Sequence, residues 1–206
     1  TLSLHDALPI CGETLDERPD RCTTASPVAL EDQGDKSLVV ALITCMFLHG
    51  STMHLAGNML FLWVFGNVVE HRVGWARYLA LYLAGGIVAT LGFTVVNPDV
   101  ADFVIGASGA IAAVMGAYLV FHPRGRILTV VVIAAFQVVY VPAAVVLVLF
   151  FVTQFFTPDA QVAWEAHVAG MVAGVVAAVG LARLPSVRRR AEDTRADMAL
   201  RAGSTF

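Results

Sequence analysis

Charged side chains fall in blocks along the 206-residue chain, and the uncharged intervals between them set its organisation. No Asp, Glu, Lys or Arg occurs in residues 37–69, 78–98, 103–123 or 127–158, and residues 161–182 contain only Glu165. Each run is near or above the roughly 20 residues that carry a helix across a bilayer. The pattern predicts five membrane-spanning helices, at about 38–69, 77–96, 103–121, 127–151 and 161–184. The first interval is longer than a bilayer requires, which predicts a loop-like or re-entrant break around His49-Gly50-Ser51. The second has only Gly85-Gly86 and Gly92 as features and reads as a packing helix. In the third, Gly109, Gly116, Ala112, Ala113 and Ala117 offer the thin surface of a central, shielded helix. The fourth is rich in Val and Ile, with Pro142 as a kink and an aliphatic surface suited to lipid.

Composition agrees with that reading. A chain that is 58% hydrophobic and 14% charged does not suit a surface facing water on all sides, so a soluble domain is excluded and the fold class expected is an all-α, polytopic membrane helix bundle. Residues 1–36 hold eight acidic and three basic side chains, whereas the ten later basic residues are Arg72, Arg77, Arg124, Arg126, Arg183, Arg188, Arg189, Arg190, Arg195 and Arg201. If five spans alternate, all ten fall on one side. The positive-inside rule makes that side cytoplasmic, and it turns the acidic N-terminal stretch and the loops with Asp99, Asp102 and Asp159 outward. Three regions follow: 1–36 as an acidic extracytoplasmic segment, 37–184 as the transmembrane domain and 185–206 as a basic cytoplasmic tail. The chain opens Thr1-Leu2-Ser3 without a signal peptide, so an outward N-terminal region is expected to follow a transmembrane helix missing from this sequence. Cys11 and Cys22 lie where an oxidising compartment would allow a disulfide, and Cys45 reads as a packing residue. No Cys-x-x-Cys or Cys/His ligand spacing occurs, so neither a metal nor a cofactor is expected, and nothing points to nucleic acid.

The polar residues inside these apolar runs are few. His54 and Asn58 are four apart and share a helical face, with His49 five positions before His54. Ser108 lies in Gly106-Ala107-Ser108-Gly109 near the start of the third span, and His167 near the start of the fifth, three before Gly170 of a Gly-x-x-x-Gly pair with Gly174. A serine in such a setting is either a small residue that lets helices approach or a nucleophile. Ser108 and His167 are expected at the same depth, close to the outer surface, so an imidazole is available to take the hydroxyl proton. Glu165 is two residues from His167 and faces elsewhere, which predicts a dyad without a carboxylate. His54, Asn58 and the backbone N–H of Ser108 are the candidate donors for an oxyanion.

Phe47-Leu48-His49-Gly50, Met53-His54-Leu55, Asn58-Met59-Leu60-Phe61-Leu62-Trp63 with Gly66 and Glu70, Gly106-Ala107-Ser108-Gly109-Ala110-Ile111 and Ala166-His167-Val168-Ala169-Gly170 together resemble the rhomboid intramembrane serine proteases. The resemblance covers roughly residues 38–184, with the motifs in order on three helices. It implies a six-helix core of which five spans are present, the nucleophile on the fourth family helix and the base on the sixth. On that likeness Ser108 is the nucleophile and His167 the base. His54, Asn58 and Ser108 are the oxyanion donors, and His49, Gly106, Gly109 and Gly170 are supporting residues. It implies transmembrane protein substrates, contact with the lipid bilayer and a bacterial plasma-membrane location, and leaves the oligomeric state open. Residues 1–10 resemble no part of the family and read as non-native.

Two other functions stand beside the endopeptidase. A non-catalytic relative that binds membrane clients is disfavoured by the presence of both serine and histidine. A small proton-coupled transporter is disfavoured by the lack of an internal repeat and of paired intramembrane carboxylates.

Overall fold

A computed structural model of the chain describes residues 38–98, 105–132, 136–154, 156 and 163–203. Cys11, Cys22 and the whole 1–36 segment lie outside the described residues.

The first long apolar interval is broken where a break is expected. Helix α1 (Leu38–Thr44) ends in a 3-10 turn at Cys45–Phe47, and α2 (Thr52–Phe61) begins after Ser51. The Ser51 hydroxyl caps α2 by accepting from the backbone N–H of His54 at 3.1 Å, satisfying one of the donors a helix start leaves open. A wide π-type turn at Leu62–Gly66 joins α2 to α3 (Asn67–Val73), so Thr52–Val73 is one continuous span. Gly74, with φ of 87°, lets the chain reverse at once into α4 (Trp75–Val96).

Helix α5 (Ser108–Phe121) is the centre of the bundle: Gly109 to Tyr118 are all buried. Two Gly and four Ala among its 14 residues let neighbouring backbones come close, above all that of α7 (Trp164–Leu181). A Cβ on Gly174 would strike the Ala113 carbonyl, one on Gly116 the Met171 carbonyl, and one on Gly170 the Gly109 carbonyl. Small residues thus fix the register of α5 against α7, as the sequence pattern predicts.

The fourth interval departs from expectation. Residues 127–151 do not form one kinked helix: β1 (Arg126–Val132) pairs antiparallel with β2 (Phe136–Pro142), from Arg126 opposite Pro142 to Val132 opposite Phe136, and only then does α6 (Ala143–Gln154) begin. The cause is local. The run is rich in β-branched Val and Ile, which favour strands. Pro142 also cannot sit inside a helix, because it lacks an N–H and clashes with the preceding turn. It therefore closes the strand, and the helix starts immediately after it. Residues beyond α7 form α8 (Pro185–Gly203), held at its start by the buried Val187 and by Arg77 Nη2 donating to Ser186 Oγ at 3.0 Å.

Among the described residues three helices are long and apolar enough to cross a membrane, Thr52–Val73, Trp75–Val96 and Trp164–Leu181; Ser108–Phe121 and Ala143–Gln154 are shorter apolar helices. The five expected spans are thus all helical at least in part, and the architecture is an all-α bundle with one hairpin inserted. Its outside carries many large apolar side chains. Trp63, Trp75 and Val95 are more than 70% exposed, a surface a water-soluble protein does not carry and lipid requires. The chain is a multi-pass integral membrane protein.

Candidate active site

The starts of α2, α5 and α7 meet at one end of the bundle, and that meeting builds the site. At the opposite end Arg72 lies over the Phe121 ring and Arg77 reaches Ser186.

Ser108 is the first residue of α5 and His167 sits in the first turn of α7. Their side chains touch: His167 Nε2 is 2.7 Å from Ser108 Oγ, and the histidine is 7% exposed. The equal depth expected from sequence follows from the α5–α7 seam, in which Gly170 sits one turn below His167 against Gly109, the neighbour of Ser108.

Before Ser108 the chain makes a sharp approach. Gly106 has φ of 115°, a conformation that other residues rarely adopt, and its N–H donates to the Cys45 carbonyl at 2.9 Å. The close space is as restrictive as the angle. A Cβ on Gly106 would lie 2.8 Å from the His54 ring and 3.6 Å from Asn58 Nδ2. His54 and Asn58 therefore face the approach to Ser108 from α2. Asn58 is buried, and its Nδ2 has no hydrogen-bond partner among the described residues. A buried amide left unpaired costs on the order of 1–3 kcal/mol, so one held beside a candidate nucleophile is a donor waiting for an acceptor. His49 packs its ring edge-on to His54 at 5.2 Å, and its Nδ1 is 3.2 Å from the Phe47 carbonyl. Every predicted site residue is thus found at this end of the bundle.

Glu165 is not part of the group. It lines a groove between α4 and α7, as its two-residue offset from His167 predicts. What sequence reasoning missed is Gln154, the last residue of α6: its Oε1 is 2.6 Å from His167 Nδ1. The available signal was an amide ending an otherwise apolar run, the same signal that singled out Asn58. The ring of Phe150, one turn earlier, packs against His167 at 5.6 Å and against Phe61 of α2 at 5.0 Å, closing the side of the site.

Fold and site together define a class, a polytopic membrane helix bundle with a serine–histidine pair built from two closely packed helices near one end. The Rhomboid domain family model matches residues 36–184, and the chain belongs to the rhomboid family. It is 42% identical over 78 residues to Rhomboid protease GluP of Bacillus subtilis, covering 38% of this chain and 15% of that protein. It is 32% identical over 94 residues to Presenilin-associated rhomboid-like protein, mitochondrial, of Bos taurus, covering 45% of this chain and 25% of that one. With RHOMBOID-like protein 5 of Arabidopsis thaliana it shares 36% identity over 78 residues, 38% of this chain and 25% of the relative. The matched segments thus span a quarter or less of these relatives' lengths.

Proposed function

We propose that the chain is an intramembrane serine endopeptidase that hydrolyses peptide bonds of transmembrane protein substrates near the outer face of the membrane. The observation that carries this reading is the 2.7 Å contact between Ser108 Oγ and His167 Nε2. A hydroxyl is a weak nucleophile until a base removes its proton, and neutral imidazole at hydrogen-bond distance is such a base.

In this reading His167 Nε2 takes the proton as Ser108 Oγ attacks the scissile carbonyl carbon. The negative charge that develops on the carbonyl oxygen is met by the Ser108 N–H at the start of α5, by Asn58 Nδ2 and by His54. Each such donor is worth roughly 3–4 kcal/mol of barrier, and the positive end of the α5 dipole adds to them. The tetrahedral intermediate collapses as His167 returns the proton to the leaving amine, and the acyl group remains on Oγ. Water, deprotonated by the same imidazole, then releases it. His49 supports the His54 ring, while Gly106, Gly109 and Gly170 allow the approach that brings serine and histidine together.

The same reading puts the dyad's end of the bundle outside a bacterial plasma membrane. The basic end and the 185–206 tail are cytoplasmic, residues 37–184 are the catalytic domain and 1–36 the extracytoplasmic segment. The arginines gathered at the far end of the bundle support that orientation. In liposomes carrying a membrane-anchored reporter, the chain is expected to cleave and Ser108→Ala to be inert. Wild-type cleavage by Ser108→Ala sinks the reading, and failure of a fluorophosphonate probe to label Ser108 favours the client-binding alternative.

A further inference from the structure

The tautomer of His167 decides whether its contact with Ser108 can function. Nε2 accepts the hydroxyl proton only when the ring's single hydrogen sits on Nδ1.

Three further atoms settle where that hydrogen is. The amide nitrogen of Gln154 donates to the Phe150 carbonyl at 3.0 Å, and the amide oxygen lies 2.6 Å from His167 Nδ1. A main-chain carbonyl only accepts, so the NH₂ end of the amide is committed to Phe150, and turning the amide over would set two oxygens against each other. The oxygen end is thereby committed to His167. Because that oxygen also only accepts, Nδ1 must donate. Nε2 is then left with its lone pair facing Ser108 Oγ at 2.7 Å.

We propose that Gln154 is a positioning residue of this site: its amide, oriented by the Phe150 carbonyl, holds His167 as the Nδ1–H tautomer and aims Nε2 at the nucleophile. The proposal rests on the protease reading of Ser108 and His167, and it turns the expected dyad into a serine, a histidine and a neutral orienting amide. Phe150 acts twice in this arrangement, since its carbonyl sets the amide and its ring packs against the imidazole. An amide orients without adding charge. A carboxylate in the same place would both orient the ring and favour the imidazolium.

The test compares Gln154→Leu, Gln154→Glu and Ser108→Ala with the wild-type chain on the membrane-anchored reporter in liposomes. Gln154→Leu removes the acceptor and is expected to lower kcat by about 10²-fold, the scale of a misaimed catalytic group, with KM unchanged within about twofold. Gln154→Glu restores an acceptor and is expected to recover most of kcat. Its acid limb of kcat should move to higher pH. The other groups that bear on that limb are Ser108 from α5 and His54 from α2, whereas Glu165 lies on the groove side of α7. Wild-type kcat in Gln154→Leu overturns the proposal, as does a Gln154→Glu variant as slow as Gln154→Leu with an unmoved acid limb. If Gln154→Leu does not fold, the acid limb of Gln154→Glu decides alone. Ser108→Ala separates the two levels. Its inactivity together with unaffected Gln154 variants refutes only the positioning role, whereas its full activity refutes the protease reading beneath it.

Discussion

Adding one methyl group to the α5–α7 seam at Gly170 should disable the site without altering the serine, the histidine or the oxyanion donors. An alanine Cβ at Gly170 would collide with the Gly109 carbonyl oxygen, with the carbonyl carbon at 3.2 Å and the Ala112 methyl at 3.4 Å. Restoring normal van der Waals distance requires the helices to part by about 1 Å. The Ser108–His167 contact, now 2.7 Å, would open by a comparable amount and pass beyond hydrogen-bond reach. Overpacking of this kind costs about 1–3 kcal/mol, and a 1 Å misplacement costs about 10²-fold in rate. Gly180→Ala supplies the control, because a Cβ there meets nothing within 4 Å. It should be neutral or stabilise the helix by up to about 1 kcal/mol. The assay is the rate of fluorophosphonate labelling of Ser108 in liposomes, with thermal unfolding measured on the same samples. Gly170→Ala should label about 10²-fold more slowly and melt several degrees lower, at about 2–4 °C per kcal/mol for a chain of this size. Labelling within twofold of wild type, or an equal loss in Gly180→Ala, refutes the reasoning.

Two other outcomes follow from the structure. Asn58→Ala deletes a buried donor that has no partner among the described residues, so labelling should fall about 10²–10³-fold while the melting temperature holds or rises; a matching loss of stability would mean the amide is structural. His122, in the turn after α5, has its pKa lowered by burial and then by the nearby Arg72. Its folded value lies below the unfolded 6.5, so the unfolded chain takes up the proton first. Stability should therefore decline as pH falls below 6.5, and His122→Gln should flatten that decline; identical slopes in the two proteins would refute the assignment.

Much of this site is legible in the sequence because polar groups in apolar segments are conspicuous and helical spacing is rigid. His54 and Asn58 share a face by their four-residue offset, and the glycines at 109, 116, 170 and 174 announce a close seam before its partners are known. The break at His49-Gly50-Ser51 is legible for another reason: a helix through 38–69 is too long for one span, and Ser51 is a good cap. The hairpin at 126–142 is not legible from charge, since a continuous apolar run fits a buried strand or a helix equally well. The β-branched run and Pro142 favour strands over a helix, a signal that charge spacing does not carry. Gln154 escapes for a related reason, because it lies beyond the span expected at 127–151, in the last turn of α6. The π-type turn at Leu62–Gly66 has no sequence signature at all beyond Gly66.

Helix α5 has 14 residues, which at the α-helical rise make a rod of about 21 Å, and α6 with 12 makes about 18 Å. The hydrocarbon layer is about 30 Å thick. A helix so short cannot meet both faces, and with its far end at one face Ser108 stands about 9 Å beneath the other. The lipid beside α6 must thin, or water must fill the depression above the serine. On the protease reading proposed above, bilayer thickness would then control the reaction, since a thicker membrane lengthens the path that hydrolytic water travels to reach the acyl bond.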